Sequence, residues 1–115
     1  MKEDIEKMKN DIIEVMNDRG GGKHVSFAEL TSIDNFNGSF AWGNPNYNIW
    51  FWADMSKKAC DAMDYLIDNK IVKLEPANRT IYLFDGCMLT IPIAKRKNHK
   101  YKKPRWLPVT LNILN

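Results

Sequence analysis

The fold is decided by residues 56–93, SKKACDAMDYLIDNKIVKLEPANRTIYLFDGCMLTIPI. Its first part, from Ser56 to Asn69, predicts an amphipathic helix, because apolar residues recur there at spacings of three and four. The residues expected on the buried face of this helix are Ala59, Cys60, Met63, Leu66 and Ile67. The remainder of the segment predicts antiparallel strands.

Two tight hairpins are predicted after this helix. Residues 71–75 and 80–84 are rich in strand-forming side chains and flank a turn at Pro76–Arg79. Asp85-Gly86 then predicts a type I′ turn, since both central positions of that turn need a positive φ, and residues 87–93 are expected to form the returning strand. In residues 106–114 every second residue from Leu107 to Ile113 is leucine, valine or isoleucine. This alternation predicts a final strand with one buried face.

Two further helices are predicted before this segment. The first spans residues 3–18 and carries an apolar stripe made of Ile5, Met8, Ile12, Val15 and Met16. The glycines at 20–22 are expected to end it with a left-handed cap. Ser26 and Glu29 form a capping-box pattern that predicts a short second helix over residues 27–33. The methionine-containing stripe can serve in a homodimer as readily as in the core.

Length and composition predict one α+β domain spanning residues 1–115, with three helices and an antiparallel sheet of three or four strands. No signal peptide and no run of about 18 apolar residues is found, so we expect a cytoplasmic protein whose two cysteines are reduced. The histidines and cysteines lack the spacing of a metal site. Asp61, Asp64 and Asp68 share a helix face that we interpret as solvated. We expect no catalysis, no cofactor and no metal.

Charge is distributed very unevenly along the chain. Residues 1–94 contain 10 basic and 14 acidic residues, a net charge of −4, whereas residues 95–105 contain seven basic residues and no acidic one. We call residues 95–105 the basic loop; its cations are Lys95, Arg96, Lys97, Lys100, Lys102, Lys103 and Arg105. Such a cluster is typical of a surface that binds phosphates, and Tyr101 and Trp106 beside it could stack on bases. The alternatives are a loop that only keeps a sheet edge soluble and a site for an acidic protein partner.

Residues 34–54 combine turn-forming asparagines and glycines with seven aromatic side chains. We call this segment the aromatic insertion and predict an ordered loop whose rings complete the core, with residues 49–53 as a short strand and one or two rings exposed. In the alternative interpretation the rings form a partner-binding surface. The residues expected there are Phe40, Trp42, Tyr47 and Trp50.

The predicted order of helix, short strand, helix, helix and hairpin resembles the winged helix-turn-helix superfamily. The local resemblance lies in HVSFAEL at 24–30, which is similar to the strand entering the second helix, and in LIDNKIV at 66–72, which is similar to the exit from the third helix into the wing. The wing would then be residues 71–84, with its tip at Pro76–Arg79. This resemblance covers roughly residues 3–84 and implies DNA binding and transcription regulation.

Two features shift the expected contacts away from the third helix. About twenty residues separate the second and third helices, where a helix-turn-helix has about 3–4. The outward face of the third helix carries Lys57, Lys58, Asp61, Asp64 and Asp68, and its carboxylates oppose entry into a groove walled by phosphates. We therefore predict nonspecific or weakly specific DNA binding through the basic loop and Arg79. A protein-binding or inhibitory module that uses the aromatic insertion remains the competing hypothesis.

Overall fold

The computed structural model describes residues 2–85, 89–96 and 98–114, with the backbone alone described at 2–4, 19, 20 and 83–85. Within these residues the chain forms four helices and two three-stranded sheets, a mixed α+β fold. The helices are α1 (Lys2–Gly20), α2 (Phe27–Leu30), α3 (Lys57–Asp68) and α4 (Thr80–Asp85). The strands are β1 (Val25–Ser26), β2 (Asn37–Asn44), β3 (Ile49–Met55), β4 (Val72–Pro76), β5 (Arg105–Trp106) and β6 (Val109–Ile113). The α+β class is as predicted, but three helices were expected.

The first sheet has the strand order β1-β6-β4, and both pairings are antiparallel. Leu111 in the central strand β6 pairs with Val25 on one side and with Leu74 on the other. Successive residues of β6 from Val109 to Asn112 are all buried. The prediction of a final strand with only one buried face is therefore wrong, because a central strand is covered on both faces.

The second sheet has the order β2-β3-β5 and contains most of the aromatic insertion. Strands β2 and β3 form an antiparallel hairpin around a 3₁₀ turn at Pro45–Tyr47, and β5 lies parallel to β3. The strand expected at 49–53 is confirmed as part of β3. The prediction that the part of the insertion before β3 is a loop is wrong, since residues 37–44 form the edge strand β2.

Helices α1 and α3 confirm the amphipathic patterns that predicted them. Met8, Ile12 and Met16 of α1 are buried in the core, so the methionine stripe is used within the chain. Positive φ values at Gly21 and Gly22 follow α1, as the glycine run predicted. The capping box of α2 is also confirmed, but the helix ends at Leu30 and not at Ile33 as predicted. No described helix is both long and apolar enough to cross a membrane.

The prediction of a second wing strand at residues 80–84 is wrong, because residues 80–85 form helix α4. The side chain of Asn78 starts this helix: its Oδ1 accepts hydrogen bonds from the backbone N–H (2.9 Å) and the hydroxyl (2.6 Å) of Thr80. Tyr82, one turn further on, is fully buried. A run of strand-forming residues is therefore helical, since tertiary burial and a local cap outweigh β-propensity.

Strand β4 consequently pairs with β6 and not with residues 80–84. The predicted Asp85-Gly86 turn and the start of the strand after it involve residues 86–88, which lie outside the described residues. Leu89–Ile93 was expected to complete that strand, and within it the structure has only an isolated parallel bridge between Ile93 and Trp106. Pro92 and Pro104 have no backbone N–H to donate to a strand ladder, which disfavours a regular strand here.

A column of aromatic side chains joins the two sheets. Trp52 of β3 stacks on Phe27 at 6.0 Å and on Tyr82 at 5.1 Å between ring centroids, and Trp106 contacts both Trp52 and Tyr82. The Tyr82 hydroxyl donates a hydrogen bond to the Val109 carbonyl oxygen at 2.6 Å. The column therefore ties α2, β3, α4 and β5 together and holds both ends of the basic loop near the core.

Candidate nucleic-acid interface

The basic loop begins and ends at one place in the fold. The Ala94 N–H donates to the Trp106 carbonyl oxygen at 2.7 Å, and the Trp106 N–H donates to the Pro92 carbonyl oxygen at 2.8 Å. The first residues of the loop therefore run beside β5, where the loop finishes. Because its two ends are joined by these hydrogen bonds, the segment forms a closed loop at β5, the edge strand of the second sheet.

Tyr101 connects the middle of the basic loop to its first residues by hydrogen bonds. Its hydroxyl accepts hydrogen bonds from the backbone N–H groups of Lys95 (2.9 Å) and Arg96 (3.0 Å). Its own backbone is fixed to the 3₁₀ turn, since the Tyr101 N–H donates to the Tyr47 carbonyl oxygen at 3.0 Å and the Asn48 side-chain amide donates to the Tyr101 carbonyl oxygen at 2.8 Å. Tyr101 was predicted to stack on bases. In the structure its hydroxyl and its ring both contact other residues of the basic loop.

Arg105 also contacts the loop itself. Its guanidinium donates to the Ile93 carbonyl oxygen at 3.2 Å and lies 5.1 Å from the centroid of the Tyr101 ring. His99 makes an edge contact with the same ring, at 4.6 Å between centroids. The side chains of Arg105 and Tyr101 therefore support the loop, and the outward cations are left to contact a ligand.

Five cations of the basic loop face solvent: Lys95, Arg96, Lys100, Lys102 and Lys103. Among the described residues, no carboxylate lies within ion-pair distance of any of them. Lys100 has a weak contact with the face of the Tyr47 ring, 5.6 Å from its centroid. Lys97, the remaining lysine of the predicted site, lies outside the described residues. The part of the chain that the structure describes therefore supplies no carboxylate to pair with these five side chains.

Arg79 and Lys95 line the same groove although 16 positions separate them in sequence. Both line a groove of about 560 Å³ between the end of β4, residues 93–95 and the segment that follows β5. The other residues that line this groove are Pro76, Ala77, Asn78, Ile93, Ala94, Leu107 and Pro108. Arg79 was predicted at a wing tip, and it instead lies just before α4, where the structure brings it to the start of the basic loop.

Trp106 occupies the core instead of the candidate surface. It is only 1% exposed, and its indole N–H donates to the Phe51 carbonyl oxygen at 3.1 Å. A ring in this position offers no face to a base, so the stacking role predicted for Trp106 is wrong. The alternating pattern of residues 106–114 placed Trp106 on the face opposite Leu107, Val109 and Leu111, so it gave no signal for this burial.

The aromatic insertion contributes mostly to the core. Phe40 is 52% exposed, but Trp42 is buried, and Tyr47 and Trp50 are half-buried. Trp42 lies against Phe27 and Phe51 at centroid distances of 5.8 and 5.4 Å. A continuous aromatic docking surface made of the four predicted residues is therefore absent from the described part of the chain, and Trp42 in particular is not available to a partner.

The same hairpin covers part of helix α3. The indole N–H of Trp42 donates to the Asp64 carboxylate at 2.8 Å, which uses one of the outward-facing acids of that helix. Asp61 pairs with Lys57 one turn earlier at 3.3 Å. On the side facing α1, the ring of Tyr65 lies 3.5 Å from the Lys9 ammonium. Asp61, Asp64 and Tyr65 of α3 thus each make a contact within the chain.

Cys60 is a free thiol on α3. Burial raises the pKa of the Cys60 thiol above its usual value, and the carboxylates of Asp64 and Asp61 raise it further. A thiol in this environment stays protonated at neutral pH and is a poor nucleophile. Among the described residues no group of three histidine, cysteine or acidic side chains could hold a metal ion.

The apolar lining of the groove was missed by sequence reasoning. The Asn78-Arg79-Thr80 pattern is a helix-start signal that could have predicted α4, and with it the position of Arg79. Nothing in the sequence indicates that residues 93–95 and 107–108 approach the end of β4. No family model, curated protein or solved structure matches this chain.

Proposed function

We propose that this protein is a winged-helix domain that binds nucleic acid, and DNA in particular, through its basic loop. The contacts are made mainly to phosphates, so binding is nonspecific or weakly specific for sequence. The observation that carries the proposal is the set of exposed loop cations without a carboxylate partner in the described residues. A cation cluster that the protein leaves unpaired is suited to a polyanion.

The topology supports the winged-helix part of the proposal. Helix α1, strand β1 and helices α2 and α3 follow in the superfamily order, and β4 and β6 supply an antiparallel pair joined to β1 in one sheet. Two insertions extend this arrangement. The β2–β3 hairpin lies between α2 and α3, and residues 77–108 connect β4 to β6, where the wing tip would be. The basic loop is therefore part of an enlarged wing.

The surface of α3 argues against base reading by that helix. A recognition helix enters the major groove with its outward side chains free to reach base edges. Here Asp64 accepts a hydrogen bond from Trp42 and Asp61 pairs with Lys57, and both acids would face phosphates on entry. Base contacts specify sequence whereas phosphate contacts position the protein, so a binding mode without α3 predicts weak sequence preference.

The number of exposed cations sets the salt dependence to be tested. Six face solvent in the described residues around the loop and groove: Arg79, Lys95, Arg96, Lys100, Lys102 and Lys103. If about five of them meet phosphates of duplex DNA, the plot of log K against log salt has a slope of about −4.5, at about 0.9 per phosphate. A protein partner held by apolar contacts would give a slope near zero.

The test is fluorescence anisotropy with labelled DNA between about 50 and about 200 mM salt. We expect simultaneous replacement of Lys100, Lys102 and Lys103 by glutamine to make the slope on duplex DNA less negative by about 2.7, because three phosphate contacts are lost. The matched control replaces Lys7, Lys57 and Lys73, lysines outside the loop that each pair with a carboxylate. It changes the net charge equally and should leave the slope unchanged. Absence of binding to any nucleic acid at low salt would refute the proposal.

A further inference from the structure

We infer that the groove between Arg79 and Lys95 accepts an unpaired base, so that the preferred ligand is a single-stranded nucleic acid or a strand with an unpaired end. This inference rests on the proposed function and adds the class of nucleic acid to it. In this arrangement one base enters the groove, and the phosphates that follow it along the strand lie on the exposed lysines of the basic loop.

The size of the groove fits such a ligand. Its volume of about 560 Å³ lies within the range of about 300–1,000 Å³ that small-molecule sites have. It is therefore larger than a gap between neighbouring side chains, and it can hold a base together with part of its sugar. An exposed lysine cluster alone would need no such cavity to bind a phosphate backbone.

The lining of the groove combines apolar residues with two cationic residues. Its apolar lining residues include Ile93, Leu107, Pro76 and Pro108, whereas the lining residues Arg79 and Lys95 carry positive charge. A nucleotide has a matching combination, since the base has an apolar face and the phosphate is an anion. Bases in a duplex are stacked on each other and do not offer that face, so an apolar groove favours a base that is already unpaired.

The walls of the groove are fixed by backbone hydrogen bonds. On one side the Ala77 N–H donates to the Pro108 carbonyl oxygen at 2.9 Å. On the other side the Ala94 N–H donates to the Trp106 carbonyl oxygen at 2.7 Å, and the Lys95 N–H donates to the Tyr101 hydroxyl at 2.9 Å. A cavity held in this way does not have to be ordered when the ligand arrives, which lowers the entropic cost of binding.

The experiment compares three labelled ligands of about 12 nucleotides, a length within the range of about 4–16 that single-strand sites cover. They are a single strand without self-complementarity, the same strand annealed to its complement, and an abasic strand with the same number of phosphates. At one salt concentration we expect the single strand to bind about tenfold more tightly than the abasic strand, the low end of what stacking contributes per base. The duplex should also bind about tenfold more weakly than the single strand.

A variant that fills the groove tests its position. Ala77→Leu adds an apolar side chain to the lining, and we expect it to weaken single-strand binding about tenfold while leaving abasic and duplex binding unchanged. Ala41→Leu is the matched control, because Ala41 is an exposed alanine of β2 outside the groove. Thermal unfolding of both variants checks their folding. The abasic comparison uses the unmodified protein and does not depend on either variant.

The outcomes separate this inference from the function on which it rests. If single-stranded, duplex and abasic ligands bind equally with a steep salt dependence, the groove plays no part and the inference is overturned, while backbone binding stands. If polyglutamate of equal charge competes as well as the single strand, the site takes an acidic peptide and the inference is likewise overturned. If none of the nucleic acids binds at low salt, the inference and the proposed function both fail.

Discussion

Removing one hydroxyl group tests how helix α4 is held in the core. Tyr82 is fully buried, and its hydroxyl accepts a hydrogen bond from the Phe27 N–H at 3.1 Å while donating one to the Val109 carbonyl oxygen at 2.6 Å. Tyr82→Phe keeps the aromatic ring but leaves two buried backbone groups without this partner. At about 1–1.5 kcal/mol for each bond, the free energy of unfolding should fall by about 2–3 kcal/mol.

Urea unfolding followed by tryptophan fluorescence measures this loss, and the urea dependence of the free energy should not change. For a domain of this size we expect the melting temperature to fall by about 8–12 °C. Tyr65→Phe is the matched control, since Tyr65 is 44% exposed and its ring contact with Lys9 does not need the hydroxyl. A loss of less than about 0.5 kcal/mol in Tyr82→Phe, equal to that in Tyr65→Phe, would refute the hydroxyl bridge.

Three further predictions follow from single contacts. Tyr101→Phe removes the acceptor of two loop amides, so anisotropy should show weaker binding to nucleic acid at every salt concentration with an unchanged salt slope. Gly43→Ala places a Cβ against the Ile49 carbonyl oxygen, closer than van der Waals contact allows, and urea unfolding should show a loss of about 1–3 kcal/mol from the forced backbone shift. The raised pKa of Cys60 means that the folded state keeps the thiol proton to a higher pH than the unfolded state does. Stability from this group is present below the ordinary thiol pKa and is lost as the pH rises through the folded value, so Cys60→Ser should unfold with a weaker dependence on alkaline pH.

Local sequence patterns predicted the elements that depend on local rules. The apolar stripe of α1, the capping box of α2 and the face of α3 were all recognised because a helix places residues three and four apart on one side. Ser56 caps α3 by accepting a hydrogen bond from the Ala59 N–H at 3.1 Å, at the predicted boundary. In these places the side chain and the backbone group that it satisfies lie within one turn.

The predictions failed where partners distant in sequence decide the structure. Residues 80–84 have strand-forming side chains, but the aromatic column around Trp52 gives Tyr82 a buried position that a helix can fill. Strand β4 then finds its partner in β6, more than 30 positions away. The sequence predicted charge better than position. Five cations of the basic loop are exposed in the described residues, whereas the groove that Arg79 and Lys95 both line depends on the whole connection between β4 and β6.

The basic loop divides its polar groups between support and recognition. The Tyr101 hydroxyl and the Arg105 guanidinium are directed to backbone groups of residues 93–96, so they hold the loop and do not face a ligand. The exposed lysines make no ion pair among the described residues, so they are free to exchange counterions for phosphates. Salt dependence counts only the phosphates that are neutralised, and loop order changes affinity at all salt concentrations alike. Changes to the outward lysines should therefore alter the slope, and changes to the inward side chains should alter the intercept.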